Sequence, residues 1–220
     1  MANSTVALIA NANIQDLGDG TSRLSGRSFG DYYNLCASEP FRDQPVDAFC
    51  SGFLVGEDLI ATAGHCIRSQ SDCQDVRFAF NYAVTTPGKN PNLVENKNLY
   101  KCQQIIRTEV NGSGSDFAII KLDRPVSGRT PLKIRRTGQI PNGANLLVIG
   151  HPAGLPTKVA GGAQVRSQGS GYFTANLDTY GGNSGSAVFN AVSGEVEGIL
   201  VRGETDFIYS GGCRASNRCT

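Results

Sequence analysis

FCSGFLVGEDLIATAGHC, residues 49–66, is the stretch from which the fold class is read. FCSGFLVG is a short apolar strand, EDL a turn, and IATAGHC a second strand ending at a histidine. Cys50 and Cys66 stand sixteen residues apart, and a disulfide between them would tie the two strands together and fix the loop of His65. The small residues ahead of His65 allow close packing where the strand ends.

Outward from this stretch the pattern repeats. DVRFAFNYAV (75–84) alternates as a half-buried strand does, TTPGKNPN is a turn, and YKCQQIIRTEV (100–110) is another strand. NGSGSD is a glycine-serine loop that delivers Asp116 to the head of FAIIKL. After the linker DRPVSGRTP (123–131), five short strands follow: NLLVIGHP, TKVAGGAQVRSQ, GYFTANL, GSAVFN and VEGILVRG. Short strands in series without intervening helices indicate an all-β sandwich or barrel. The expected organisation is an extended lead-in over 1–45, an N-terminal barrel over 46–125, and a C-terminal barrel with a polar tail over 126–220. Gly18, Gly20, Gly26, Gly30, Pro40 and Pro45 break any helical pattern in the lead-in.

Bulk properties exclude several classes. Twenty basic and 19 acidic residues give +1, with no basic block, so no nucleic-acid partner is expected. No apolar run approaches the ~18 residues of a membrane span, so no membrane partner is expected either. The sequence carries no signal of oligomeric state. MANSTVALIA lacks the basic start of a secretory signal; Met1-Ala2 reads as a recombinant start from which a natural leader has been removed. Seven cysteines with only two histidines, and no C-x-x-C, argue against a zinc cage and for disulfides in an oxidising compartment. Cys73–Cys102 and Cys213–Cys219 are the further pairs expected, with Cys36 left over. Neither metal nor organic cofactor is expected.

Three pieces carry chemistry. GGNSGS (181–186) offers Ser184 in a tight, glycine-flanked turn, with the Gly182 and Ser184 N–H groups as candidate donors for an oxyanion. His65 in ATAGHC is a base suited to taking a serine proton near pH 7. Asp116, opening a buried strand, can hold that base's tautomer and stabilise the imidazolium. Its rivals Asp72 and Asp75 lie in a polar loop, and Asp123 lies at the exposed far end of the strand.

At these motifs the sequence resembles the chymotrypsin/trypsin clan of serine peptidases. The order His…Asp…Ser is that clan's order, and the Cys50–Cys66 spacing matches the disulfide that brackets its catalytic histidine. GGNSGSAVFN and IGHPAGLP (149–156) look most like the bacterial branch that includes glutamyl endopeptidases. The resemblance covers about residues 48–205. It implies two six-stranded antiparallel β-barrels with the triad His65, Asp116 and Ser184 in the cleft, and a polypeptide substrate. Two departures stand out: Asn183 replaces the aspartate that pairs with a newly cut N-terminus in trypsin-like zymogens, and Leu200 stands where glutamyl endopeptidases place a pocket histidine.

By the same resemblance, Asp178 falls at the base of the specificity pocket, which would favour Lys or Arg before the cut. Thr179 and Leu200 would line its walls and Gly203 would open its mouth, with Glu204 and Asp206 at the rim. Val201 and Gly203 would pair with an extended substrate. His151 reads as a loop residue packed by Pro152 and Pro156. The competing functions are a non-catalytic or latent binding module on this fold, the latter with residues 1–45 across the cleft, and an esterase acting on small acyl esters.

Overall fold

The computed structural model of the chain describes residues 1–111 and 114–218. Its first half is a closed antiparallel barrel of six strands. These are β1 (Thr5–Ala10), β2 (Ala48–Leu54), β3 (Leu59–Thr62), β4 (Val76–Ala79), β5 (Leu99–Val110) and β6 (Asp116–Leu122), in the order β1-β2-β3-β6-β5-β4. Val6, Leu8, Leu54, Ile60, Phe78, Phe80, Ile120 and Leu122 fill the interior. β6 alternates buried and half-buried positions along its whole length, starting with buried Asp116.

The lead-in is more than an extended approach to the barrel. Its strand β1 pairs with both β2 and β4 and closes the ring. Ala7 and Ile9 on the outer side of β1 are themselves covered, by Leu24, Tyr82 and Val94. Leu24 and Val94 come from a small three-stranded sheet of Ile14–Asp16, Thr21–Leu24 and Leu93–Glu95. A strand buried on both faces reads as an apolar run without alternation, so TVALIA carries no strand signature of its own.

The second half is a curled half-barrel, and the two halves together make a chymotrypsin-like two-barrel fold. Five strands form its sheet: β7 (Asn145–Gly150), β8 (Lys158–Gly169), β9 (Tyr172–Ala175), β10 (Ala187–Asn190) and β11 (Val196–Ile199). Their order is β9-β8-β7-β10-β11. A separate hairpin, β12 (Phe207–Ser210) and β13 (Cys213–Ser216), stands beside it. The sheet has five strands where six were expected, and β11 ends at Ile199, where VEGILVRG was expected to run on to Gly203. Beyond it, Leu200 turns to bond the 184–186 loop, its O accepting from Gly185 N–H at 2.7 Å and its N–H donating to Ser186 O at 3.0 Å. The two halves meet in a shared core of Phe53, Ala61, Ile149, Ala187, Phe189 and Val196.

Between the halves runs the rest of the lead-in. Ser28 caps a short helix α1 (Phe29–Tyr33) by accepting from Asp31 N–H, and Phe29 packs with Leu35, Ala153, Leu155, Tyr180 and Phe207. Leu35 then bridges Arg214 in parallel, with Cys36 N–H donating to Arg214 O at 2.9 Å. That bridge lays Cys36 beside Cys213, and the two form a disulfide with Cα atoms 4.9 Å apart.

The expected Cys213–Cys219 pair is therefore corrected to Cys36–Cys213; Cys219 lies outside the described residues. Nearness in sequence misled, because the partner is 177 residues away and delivered by a backbone bridge. Cys50–Cys66 and Cys73–Cys102 are paired as expected. Replacing Cys36 and Cys213 together by serine is expected to lower the unfolding free energy by about 2–4 kcal/mol. Urea unfolding without reductant measures this, and a midpoint equal to that of the parent chain would contradict it.

Candidate active site

His65 sits in a single 3-10 turn, Gly64–Cys66, directly after β3. Asp116, the first residue of β6, reaches it in two ways. Its Oδ2 lies 2.8 Å from His65 Nδ1, and its Oδ1 accepts from the His65 backbone N–H at 2.9 Å. Burial works to raise the Asp116 pKa, but hydrogen bonds from the His65 ring and backbone, the His65 charge and the Gly64 N–H outweigh it. The carboxyl is held below its usual range. A carboxylate there fixes Nδ1 as the protonated nitrogen, which leaves Nε2 as the basic one.

Gly64 is required for this approach. A Cβ on it would lie 2.5 Å from Glu109 O and 2.9 Å from Phe117 O, inside the β5–β6 pair. Asp72, Asp75 and Asp123 make no bond to His65; Asp72, for example, caps a short helix at Gln70–Gln74.

Ser184 arrives from the second half on the loop between Tyr180 and β10. Its carbonyl accepts from Ser51 N–H of β2 at 2.8 Å and lies 3.9 Å from Cys66 Sγ, the residue after His65. The next residue, Gly185, has φ +91°, and a Cβ on it would lie 2.0 Å from Ser51 O and 3.0 Å from Ala63 N. The loop is thus pressed against the strand end that carries His65. Ser184 is half-buried, and among the described residues its Oγ makes no hydrogen bond. The Gly182 and Ser184 N–H groups likewise donate to no protein acceptor among the described residues.

Asn183 explains how the loop is held from within. It is buried; its amide N–H donates to Thr179 Oγ1, and its Oδ1 accepts from Ser186 Oγ at 2.8 Å. Behind the loop lies the His151 turn, where Ala153 N–H donates to Gly181 O at 2.5 Å. His151 is buried, and burial pushes its pKa down to about 4, so its ring is neutral. With Nδ1 3.0 Å from Leu155 O, Nδ1 carries the proton. The residue braces a turn. In the sequence, IGHPAGLP carried a resemblance and a reading of His151 as a loop residue packed by Pro152 and Pro156, but not what that turn would support.

The pocket residues divide. Thr179 is half-buried beside Asn183, Leu200 packs with the second-half core, Val201 packs against the first barrel, and Gly203 is open with nothing near it. Asp178 is exposed, where a buried pocket base was expected. Alternation along β9 continues past its end, so Phe173, Ala175 and Leu177 turn inwards while Thr174, Asn176 and Asp178 turn out. Asp206 is the acid closer in: its Oδ2 accepts from Gly181 N–H at 2.8 Å, and burial raises its pKa. Val201, Arg202 and Gly203 make no backbone hydrogen bond among the described residues. No metal site arises from Cys50, His65 and Cys66, although their ligand atoms lie within 4.8 Å of one another, because the disulfide uses both sulfurs.

A closed barrel joined to a curled half-barrel defines the chymotrypsin-like class of folds. Within that class the chain belongs to the trypsin-like peptidase domain family, whose model matches residues 50–199. Among solved structures it is similar to a serine endoprotease from Yersinia pestis, at 18% identity and a TM-score of 0.53. That alignment covers 91% of this chain and 54% of the other, so the chain spans about half the length of that relative. No match is found among curated proteins.

Proposed function

We propose that the chain is a serine endopeptidase that cuts polypeptides through an acyl-enzyme, with His65, Asp116 and Ser184 as its triad. The observation that carries this reading is the seating of the Ser184 loop against Ala63 and Ser51, beside a His65 already paired to Asp116 at 2.8 Å. His65 Nε2 takes the Ser184 proton as Oγ attacks the scissile carbonyl. The Gly182 and Ser184 N–H groups receive the oxyanion. His65 then gives its proton to the leaving amine, and water repeats the sequence on the ester. The free backbone of Val201–Gly203 is suited to receiving an extended peptide as an added strand, which favours peptides over small esters.

A second reading is a latent enzyme. It draws on the Ser184 hydroxyl, which makes no bond to His65, and on a lead-in covalently fixed to the hairpin beside Tyr180. In unliganded enzymes such bonds often tighten only when substrate binds, and none of the lead-in's hydrogen bonds reaches the three triad residues. Reaction of the intact chain with a fluorophosphonate, followed by mapping the modified peptide, separates the readings. Stoichiometric modification at Ser184 supports the active enzyme. No modification until limited proteolysis supports latency, and none at all supports a binding module.

Preference for Lys or Arg before the cut is part of this proposal, but as a shallow one. Exposed Asp178 is screened by solvent, so it cannot discriminate as a buried, unpaired carboxylate would. Asp178 and Asp206 supply negative potential at the pocket mouth. A peptide panel varying only that residue is expected to favour Lys and Arg over Leu by less than about tenfold, decreasing with salt. A preference for Glu or Phe would refute it. The three disulfides favour a working compartment outside the reducing cytosol, secreted or periplasmic. No helix among the described residues is long and apolar enough to cross a membrane.

A further inference from the structure

Ser51 is the one polar side chain on β2 that is fully buried, at 0% exposure, and it is not part of the triad. All its bonding groups are engaged at the joint between the two halves. The hydroxyl accepts from His151 N–H at 2.9 Å and donates to Gly182 O at 3.2 Å. The backbone N–H donates to Ser184 O at 2.8 Å, and the backbone O accepts from Thr62 Oγ1 at 2.7 Å. One residue of the first barrel therefore grips the carbonyls on both sides of Asn183, at Gly182 and at Ser184.

The direction of an oxyanion donor is set by its peptide planes. The Gly182 N–H belongs to the Gly181–Gly182 peptide, whose carbonyl is held by Ala153 N–H at 2.5 Å. The following peptide, Gly182–Asn183, is held at its carbonyl by the Ser51 hydroxyl and at its N–H by Tyr180 O, 3.2 Å away. Gly182 itself has φ +80°, a region that glycine adopts freely and that gives the chain no local preference for one peptide orientation. A Cβ there would lie 2.9 Å from Gly154 N, so no side chain can serve as a brace instead. With both ends of that second peptide tied, Gly182 is held from both sides; with the Ser51 hydroxyl absent, the carbonyl end is released and only the Asn183 N–H bond to Tyr180 O remains on that peptide.

We propose that Ser51 is a positioning residue whose hydroxyl aims the Gly182 amide at the oxyanion by holding the Gly182 carbonyl against the His151 turn. This rests on the peptidase reading above. Ser51→Ala would leave Gly182 O and the buried His151 N–H without their partner and release the Gly182 carbonyl, while the rest of the loop stays anchored. Misplacement on the scale of an ångström costs up to about 10²-fold in rate. The loss falls on the transition state, because the ground-state carbonyl leans little on these donors.

The test uses the full chain and three variants: Ser51→Ala, Ser51→Thr, and Ser4→Ala. Ser4 supplies a matched control, a buried hydroxyl donating to Thr130 O at 2.7 Å and making no bond to the Ser184 loop. Each protein is measured for kcat and KM on one peptide amide, for affinity toward a peptide boronate that forms a tetrahedral adduct, and for thermal unfolding. Ser51→Ala is expected to lose about 10–100-fold in kcat and a similar factor in boronate affinity, with KM within about threefold. Ser51→Thr, which keeps the hydroxyl, is expected to recover most of both, and Ser4→Ala to leave both unchanged. Should Ser51→Thr unfold, the comparison of Ser51→Ala with Ser4→Ala still decides. Unchanged kcat in Ser51→Ala, or a loss carried by KM with boronate affinity intact, overturns the role while leaving the peptidase reading standing. A parent chain that neither turns over peptide nor reacts with fluorophosphonate overturns both.

Discussion

Ser184→Ala is expected to lower kcat on a peptide substrate by about 10⁶-fold while leaving KM and stability near those of the parent chain. Stability should hold because the Ser184 side chain contributes no hydrogen bond among the described residues. The loop is anchored instead through the Ser184 carbonyl on Ser51 N–H, which alanine retains. Removing an unbonded hydroxyl at a half-buried site typically changes stability by no more than about 0.5 kcal/mol. Residual catalysis of about 10³–10⁴ over water would come from the two amides and from substrate alignment. Steady-state kinetics with thermal unfolding checks this. Retained activity would remove Ser184 from the mechanism.

Asp116→Asn is expected to cost about 10⁴-fold in kcat, by a mechanism the geometry makes specific. Two groups of His65 face this carboxylate: the backbone N–H at 2.9 Å and Nδ1 at 2.8 Å. The backbone N–H can only donate, so the amide oxygen of asparagine must stay with it. The amide NH2 is then left facing Nδ1, which has to give up its proton and become an acceptor. The proton moves to Nε2, and a protonated Nε2 cannot take one from Ser184. KM should change little.

The same substitution has a signature in stability. Because the folded-state pKa of Asp116 is lowered, its charged form stabilises the fold above the ordinary carboxylate range, and that contribution disappears as pH falls through the lowered value. The stability gap between parent and Asp116→Asn should therefore be present at neutral pH and close in acid. A gap independent of pH would mean that the carboxylate charge is not what the pair contributes.

Most of the scaffold around these residues was legible because its strands are short, apolar and punctuated by glycine. FCSGFLVG, IATAGHC and FAIIKL became β2, β3 and β6, and the motifs at their ends lie beside the Ser184 loop. What was not legible shares a physical cause. TVALIA is covered on both faces, so it shows no alternation, and its covering residues Leu24 and Val94 are far apart in sequence. The Cys36–Cys213 bond depends on a parallel bridge between Leu35 and Arg214 that no spacing rule encodes. Asp178 was placed by its distance from Ser184, whereas its direction is set by the pleat of β9, which turns it to solvent. Ser51 stood inside the quoted stretch from the start, as a hydroxyl in an apolar strand, and only its partners across the joint give it meaning.

The Cys36–Cys213 bond has one more consequence. It makes residues 36–213 a covalent ring that holds every strand of the barrel and half-barrel except β1, the linker between them and the whole candidate site. A backbone nick anywhere on that ring, by a neighbouring peptidase or by a second copy of this chain, opens the circle without releasing a fragment. Only ahead of Cys36 or after Cys213 can a single cut detach a piece, and a cut between β1 and Cys36 would release β1, the strand that closes the first barrel. In an oxidising, protease-rich medium, a nick within the ring would thus stay hidden until reductant is added.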